Sequence, residues 1–358
     1  MRTSTFGGAL AIIVVCLSCV TGSAQAQIKR DVTFIVTTTE VTPGHATLSS
    51  LQQNPGFWKR EGLNVHFLAI EGSTPAVQQL ASGTADFASV APAVLLTARE
   101  HGVPLQAFYC IVKKSIFRVV VPAGSPIQHP TDLKGKTIGV PSLGSGTYPF
   151  ARLLISSAGL DPDKDVKWLA VGVGPQAALA LDRGQIQALS LWDTMQAALE
   201  GRGMKFRIVA SPAVDNLIGQ LLVARKEFLE QHPETAIAIA RGIAEATIYA
   251  AAYPEATIQN HWKLFPQSEA QKGTLAEKLQ DAKRQLNARL DLMIDDDWPR
   301  IPFGEITPTN WSATVDAAIK DGTIKNRERM DGGYTNRLIK QINEFDKAEV
   351  LQVKFSGD

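Results

Sequence analysis

The chain has 358 residues, 45% of them hydrophobic and 20% charged, with 36 Lys and Arg against 35 Asp and Glu, a composition that belongs to globular proteins and excludes disordered or fibrous ones. The length exceeds what one hydrophobic core usually organises, so two domains are expected. A formal charge of +1 and the lack of any Lys/Arg-rich run leave no basic footprint for phosphate neutralisation, and nucleic acid is not expected as a partner.

Arg2 precedes an apolar run from Gly7 through Val20, and Ala24-Gln25-Ala26 places small residues at both positions that an export peptidase reads before Gln27. Residues 1–26 therefore read as a signal peptide, with an apolar run short of the roughly 20 residues that span a bilayer. Cys16 and Cys19 fall inside this leader, and lipid attachment at Cys19 is disfavoured because Cys16-Leu17-Ser18 is a poor processing site. Only Cys110 remains, so no internal disulfide is expected and the core alone must hold the fold.

The β-branched, alternating run Asp31–Thr37 predicts a strand that ends before Thr38, Thr39 and the breaker Pro43-Gly44. A helix is expected over 46–53, a strand over 65–70, and a helix opened by Gly72-Ser73-Thr74-Pro75 and closed by Gly83. A short buried strand over 86–90 follows. Strands and helices alternating at this spacing argue for βαβ units and a mainly parallel sheet.

Residues 65–93 echo residues 166–194 at a constant offset of 101: Ala76 falls on Ala177, Leu80 on Leu181, Gly83 on Gly184 and Ser89 on Ser190. Either two units share only a composition, or the chain holds two lobes of like build. Phe117–Val121 and Ile218–Ala224 are strands that bracket the second copy and are natural crossovers. Beyond Pro254 the chain reads as helical and amphipathic, interrupted by Pro266, Pro299, Pro302 and Pro308.

The common catalytic signatures are absent: there is no H-E-x-x-H, no G-x-S-x-G, no phosphate-binding G-x-x-x-x-G-K-[ST] and no G-x-G-x-x-G after a strand. The histidines at 45, 66, 101, 129, 232 and 261 have no helical spacing suited to a metal. Several loops after predicted strands do carry small hydroxyl residues and glycines at a helix start. Open parallel sheets bind ligands there, where helix N-termini present unpaired N–H groups.

The richest such loop holds Ser142, Gly144, Ser145, Gly146, Thr147 and Tyr148. Its counterparts are Thr38, Thr39, Gly44 and His45; Gly72, Ser73 and Thr74; Ser89, Val90 and Ala91; Gly174; and Trp192 with Asp193. For the hydroxyls the plainer role is helix capping, worth about 1 kcal/mol. Trp192 could stack on a planar ligand or belong to the core. Asp193 could cap the next helix or bind a polar group of the ligand.

Five stretches in this order, Gly56-Phe-Trp-Lys-Arg-Glu-Gly-Leu-Asn-Val65, Leu80-Ala-Ser-Gly-Thr-Ala-Asp-Phe87, Asp132-Leu-Lys-Gly-Lys-Thr-Ile-Gly-Val140, Gly144-Ser-Gly146 and Leu191-Trp-Asp193, give most of the mature chain a family likeness. It resembles the periplasmic solute-binding proteins of ABC importers, in the branch that binds nitrate, aliphatic sulfonates, taurine and thiamine-pyrimidine precursors. The resemblance implies an α/β protein of two lobes, each a mainly parallel sheet flanked by helices, joined by two crossover strands. Lobe I would comprise 27–121 with 219–358, and lobe II 122–218.

By the same resemblance the hydroxyl-rich loops line a cleft that closes on a small organic solute, and an inner-membrane ABC permease is the partner of a periplasmic monomer without a cofactor. The related fungal thiamine-precursor synthases carry a cysteine-rich motif and a histidine chemistry with no equivalent here, so an enzyme is not expected. A periplasmic sensor for signalling and an exported synthase-like enzyme stand as the alternatives. Because no Arg or Lys sits in the candidate loops, apart from Arg118 at the hinge, a larger, partly aromatic solute is expected over a small, highly charged anion. Sulfonates, aromatic carboxylates and heterocycles are the classes in view.

Overall fold

The computed structural model describes residues 1, 29–215, 217–294 and 302–355. Apart from residue 1, the leader read at 1–26 lies outside the described residues. Ten strands run in chain order: β1 (Asp31–Val36), β2 (Asn64–Ala69), β3 (Phe87–Val90), β4 (Leu105–Val112), β5 (Phe117–Pro122), β6 (Thr137–Val140), β7 (Lys167–Ala170), β8 (Ala188–Trp192), β9 (Phe206–Ile208) and β10 (Gln220–Arg225). They form two five-stranded sheets, ordered β2-β1-β3-β10-β4 and β7-β6-β8-β5-β9.

The two orders are the same once each strand is matched to its equivalent, so the echo at offset 101 is structural. The helix Ser73–Ser82 corresponds to Pro175–Asp182, and the glycines that follow them, Gly83 and Gly184, both have positive φ, 79° and 68°. In each sheet β1–β3 or β6–β8 pair in parallel, and one strand runs against the rest: β10 in the first sheet, β5 in the second. Those two are the strands entered from the other half, after the crossings at 113–116 and 209–219. Their first residues, Gln220 and Phe117, consequently lie at the edge where the parallel strands end, and Phe117 pairs with Trp192.

All eight residues of β4 are buried, as expected for a strand covered on both faces. Its outer side is capped by the C-terminal segment, where Cys110 N–H donates to Gly304 (2.8 Å) and Ala107 N–H to Gly333 (2.9 Å). This covering removes an exposed strand edge. The Cys110 thiol is buried and burial pushes it up to about 12, so it stays protonated and inert. The expected helix over 46–53 is instead a 3-10 turn, Pro43–Leu48, followed by the single α turn Ser50–Gln53. Among the described residues no helix is long and apolar enough to cross a membrane.

The C-terminal helices do more than cover the first sheet. Helix Leu275–Met293 packs against both the turn Pro43–Leu48 of one half and the helix Asp193–Gly201 of the other. Its buried stripe, Ala282, Leu286, Arg289, Leu290 and Met293, follows helical spacing. An arginine in that stripe is buried with the apolar residues.

Candidate functional site

The strand tips of the two sheets face one another and enclose a small polar cavity of about 30 Å³, room for a water molecule. Of the residues singled out from sequence, Thr38, His45, Ser73, Ser89, Ser145, Gly146 and Trp192 line it. They come from the ends of β1, β3 and β8, from two helix starts and, for His45, from the turn Pro43–Leu48, the places where an open α/β sheet presents its loops.

Each hydroxyl is already an acceptor. Thr38 Oγ1 takes the Glu40 N–H (3.1 Å), Ser73 Oγ the Ala91 N–H (3.1 Å), Ser89 Oγ the Gln220 Nε2–H (3.3 Å), and Ser145 Oγ both the Thr147 N–H and O–H. Local turn and capping roles are therefore real. Since none of the four donates to another described residue, each keeps its proton for the cavity. Trp192 is 5% exposed and its Nε1–H has no partner. A buried donor left unpaired costs about 1–3 kcal/mol, and this one belongs to a residue of the cavity wall.

His45 is a further donor. Its Nδ1 accepts the Thr42 backbone N–H (3.2 Å), and because an amide can only donate, the ring proton sits on Nε2. Burial, with Arg289 and His261 nearby, holds its pKa well below the ordinary value, so the ring is neutral at pH 7. The cavity wall thus carries hydroxyl, indole and imidazole side chains and no carboxylate.

Sequence reasoning missed Phe117, Gln220 and Arg289 on the cavity wall. Phe117 and Gln220 begin the two reversed strands, so a search confined to segments after strand ends passes over them. Arg289 arrives from helix Leu275–Met293, outside the candidate loops, which carry no Arg or Lys apart from Arg118. Its Nε and Nη2 both donate to the Asp193 carboxylate at 2.7 Å, and its Nη1 reaches Gln220 Oε1 at 3.5 Å. Asp193 consequently does not cap the helix it begins; its carboxylate is spent on the guanidinium. Since Asp193 matches its charge, Arg289 adds no free cation to the cavity.

The remaining candidates lie off the cavity, several of them where the lobes touch. Thr74 N–H donates to Gly144 C=O at 3.1 Å, and Gly72, at φ 95°, approaches the same carbonyl so closely that a Cβ would sit 2.8 Å from it. A side chain at Gly146 would run into Ala91 and Phe117, and one at Gly44 into Thr194. Gly174 lies against the Glu40 carboxylate, which faces Arg202 at 4.0 Å. Val90 is core, Thr39 is exposed, Ser142 turns the loop by accepting from Ser145 N–H, and Thr147 is buried. Tyr148 packs edge-on against Trp168. Among the described residues no group of His, Cys, Asp or Glu is arranged to hold a metal.

A family model described as NMT1/THI5 like matches residues 43–257. A 4-amino-5-hydroxymethyl-2-methylpyrimidine phosphate synthase of Schizosaccharomyces pombe is 27% identical over 61% of this chain and 64% of its own length. The taurine-binding periplasmic protein of Escherichia coli is 27% identical over 54% of this chain and 60% of its own. The chain thus spans less than two thirds of either relative. Among solved structures, the alkanesulfonate-binding protein SsuA from Xanthomonas axonopodis pv. citri, bound to MOPS, superposes with a TM-score of 0.66 at 16% identity, covering 87% of this chain and 99% of that one. The shared fold is that of the two-lobed periplasmic binding proteins.

Proposed function

The chain belongs to the NMT1/THI5-like family, and from that premise we propose that it is the solute-binding component of an ABC importer, taking a small organic acid, sulfonate or carboxylate, between its lobes. The observation that carries this reading is the donor-rich wall of the cavity: the hydroxyl residues Thr38, Ser73, Ser89 and Ser145, the neutral ring of His45, Trp192 and Arg289 line it, no carboxylate does, and Asp193 beside it is bound by Arg289. Converging donors with no carboxylate among them suit a ligand group rich in oxygen acceptors.

Because the enclosed space holds no more than a water, the solute enters with the lobes apart, and their closure on it is an equilibrium shifted by the solute's preference for the closed form. Relatives named as periplasmic binding proteins and the leader read at residues 1–26 support a periplasmic location and an inner-membrane permease as partner, with the protein a monomer.

A thermal-shift panel tests the reading. Sulfonates and carboxylates are expected to stabilise the protein, by roughly 2.7 kcal/mol at about 100 times the dissociation constant, while organic cations do not. Stabilisation by amines alone, or by none of the classes, would overturn it.

A further inference from the structure

Behind the polar cavity lies a second, apolar one of about 40 Å³, and the two share Phe117 and Gly146 on their walls. The apolar cavity is built by helices from three parts of the chain: Pro92 and Leu96 from Pro92–Glu100, Phe150 and Leu153 from Thr147–Ser157, and Ala318 from Pro308–Lys320, with Ile218 closing it. Its carboxylate, Asp321, is turned to the Thr323 N–H at 2.9 Å. Phe117 is half-buried, its ring centroid is 5.9 Å from that of Phe150, and its edge occupies the space that a side chain at Gly146 would fill.

We propose that Phe117 is a movable partition, and that the solute is amphipathic: its acid group meets the donors of the polar cavity while an alkyl or aryl tail displaces the Phe117 ring and occupies the apolar cavity. Neither space alone holds an organic molecule, but they are separated by one aromatic ring backed by a glycine. The polar wall offers donors and the apolar wall hydrocarbon, so one ligand of mixed character satisfies both. The inference rests on the organic-acid reading above and names the class within it.

The test is calorimetric titration with straight-chain sulfonates and carboxylates of two to eight carbons, and with benzenesulfonate. Affinity is expected to rise about fourfold per methylene until the apolar space is full. Leu153→Trp and the smaller Ala318→Leu, each checked for an intact melting transition, are expected to flatten that rise while leaving the shortest acid unchanged. Equal affinity across the series in the unmodified protein, or a rise that both filled variants retain, would overturn the partition. Failure of every acid, the shortest included, would instead overturn the organic-acid reading on which it rests.

Discussion

Asp193 and Arg289, 96 residues apart in the chain, form a bidentate ion pair with both N–O distances at 2.7 Å, and their side chains are only 2% and 3% exposed. The pair joins the helix that follows β8 to helix Leu275–Met293, and Gln220 and Ser89 extend it by hydrogen bonds across the tips of the first sheet. One connected set of polar groups therefore spans the strand tips of both sheets. Breaking it from one end leaves a buried charge alone: Arg289→Met is expected to cost about 3–5 kcal/mol of stability, with much of the loss recovered in the double variant Asp193→Leu/Arg289→Met. Denaturant unfolding of the three proteins checks this.

Trp192 has an indole ring packed in the core and an N–H without a partner. Trp192→Phe keeps most of the ring and removes the donor, so folding should persist while affinity for an acid ligand falls about tenfold, the worth of one hydrogen bond to a charged group. Calorimetric titration alongside a melting curve separates the two roles. Unchanged affinity with intact folding would return Trp192 to the core.

Besides that ion pair, the lobes approach each other closely at backbone around Gly72, Gly144 and Gly146. Gly146→Ala places a methyl against Ala91 and Phe117, so it should hinder closure more than it disturbs either lobe by itself. The expected result is weaker ligand binding, with donor–acceptor dyes on the two lobes reporting a larger separation than in the parent protein.

Titration should pull stability in two directions. His261 is buried, with Nε2 donating to the Val41 carbonyl (3.2 Å) and Nδ1 facing Ser50 Oγ (3.0 Å), and burial lowers its pKa to about 4. On acidification the unfolded chain takes up a proton near pH 6.5, while the folded ring resists until about pH 4. Stability is therefore lost across that window, by roughly 3 kcal/mol for this group.

Glu71 acts with the opposite sign. Burial, with Glu40 adding repulsion, raises it to about 7, so its contribution is complete below the unfolded value near 4.5 and lost as pH rises through 7. Glu71→Gln should raise the melting temperature at pH 8 more than at pH 5, and His261→Gln should flatten the loss between pH 6.5 and 4. Calorimetric melting across this range reads both.

The parts of this architecture legible in sequence are those that repeat locally. β1, β3 and the helix starts at Ser73 and Thr147 announce themselves through alternation, Gly stops and hydroxyl-rich turns, and from these the cavity residues Thr38, Ser73, Ser89, Ser145 and Trp192 could be picked. Phe117 and Gln220 escaped because two strands run backwards, which depends on the crossings between lobes and leaves no local mark. Arg289 did leave one: it lies three residues after Leu286 and four before Met293, on the buried face of an amphipathic helix. A charge at such a position has to find a partner, but the sequence does not say that the partner is Asp193. Gly44, Gly72 and Gly174 stood out as loop glycines; that they are where the lobes touch follows only from the closed arrangement.

A structure of the protein crystallised with a bound organic acid tests the central claim most directly. The account predicts the acid group between the lobes, its oxygens within about 3.2 Å of Trp192 Nε1 and of hydroxyls among Thr38, Ser73, Ser89 and Ser145. An acid lodged on an outer face, with Trp192 Nε1 still unpaired and the strand tips closed on one another, would contradict it.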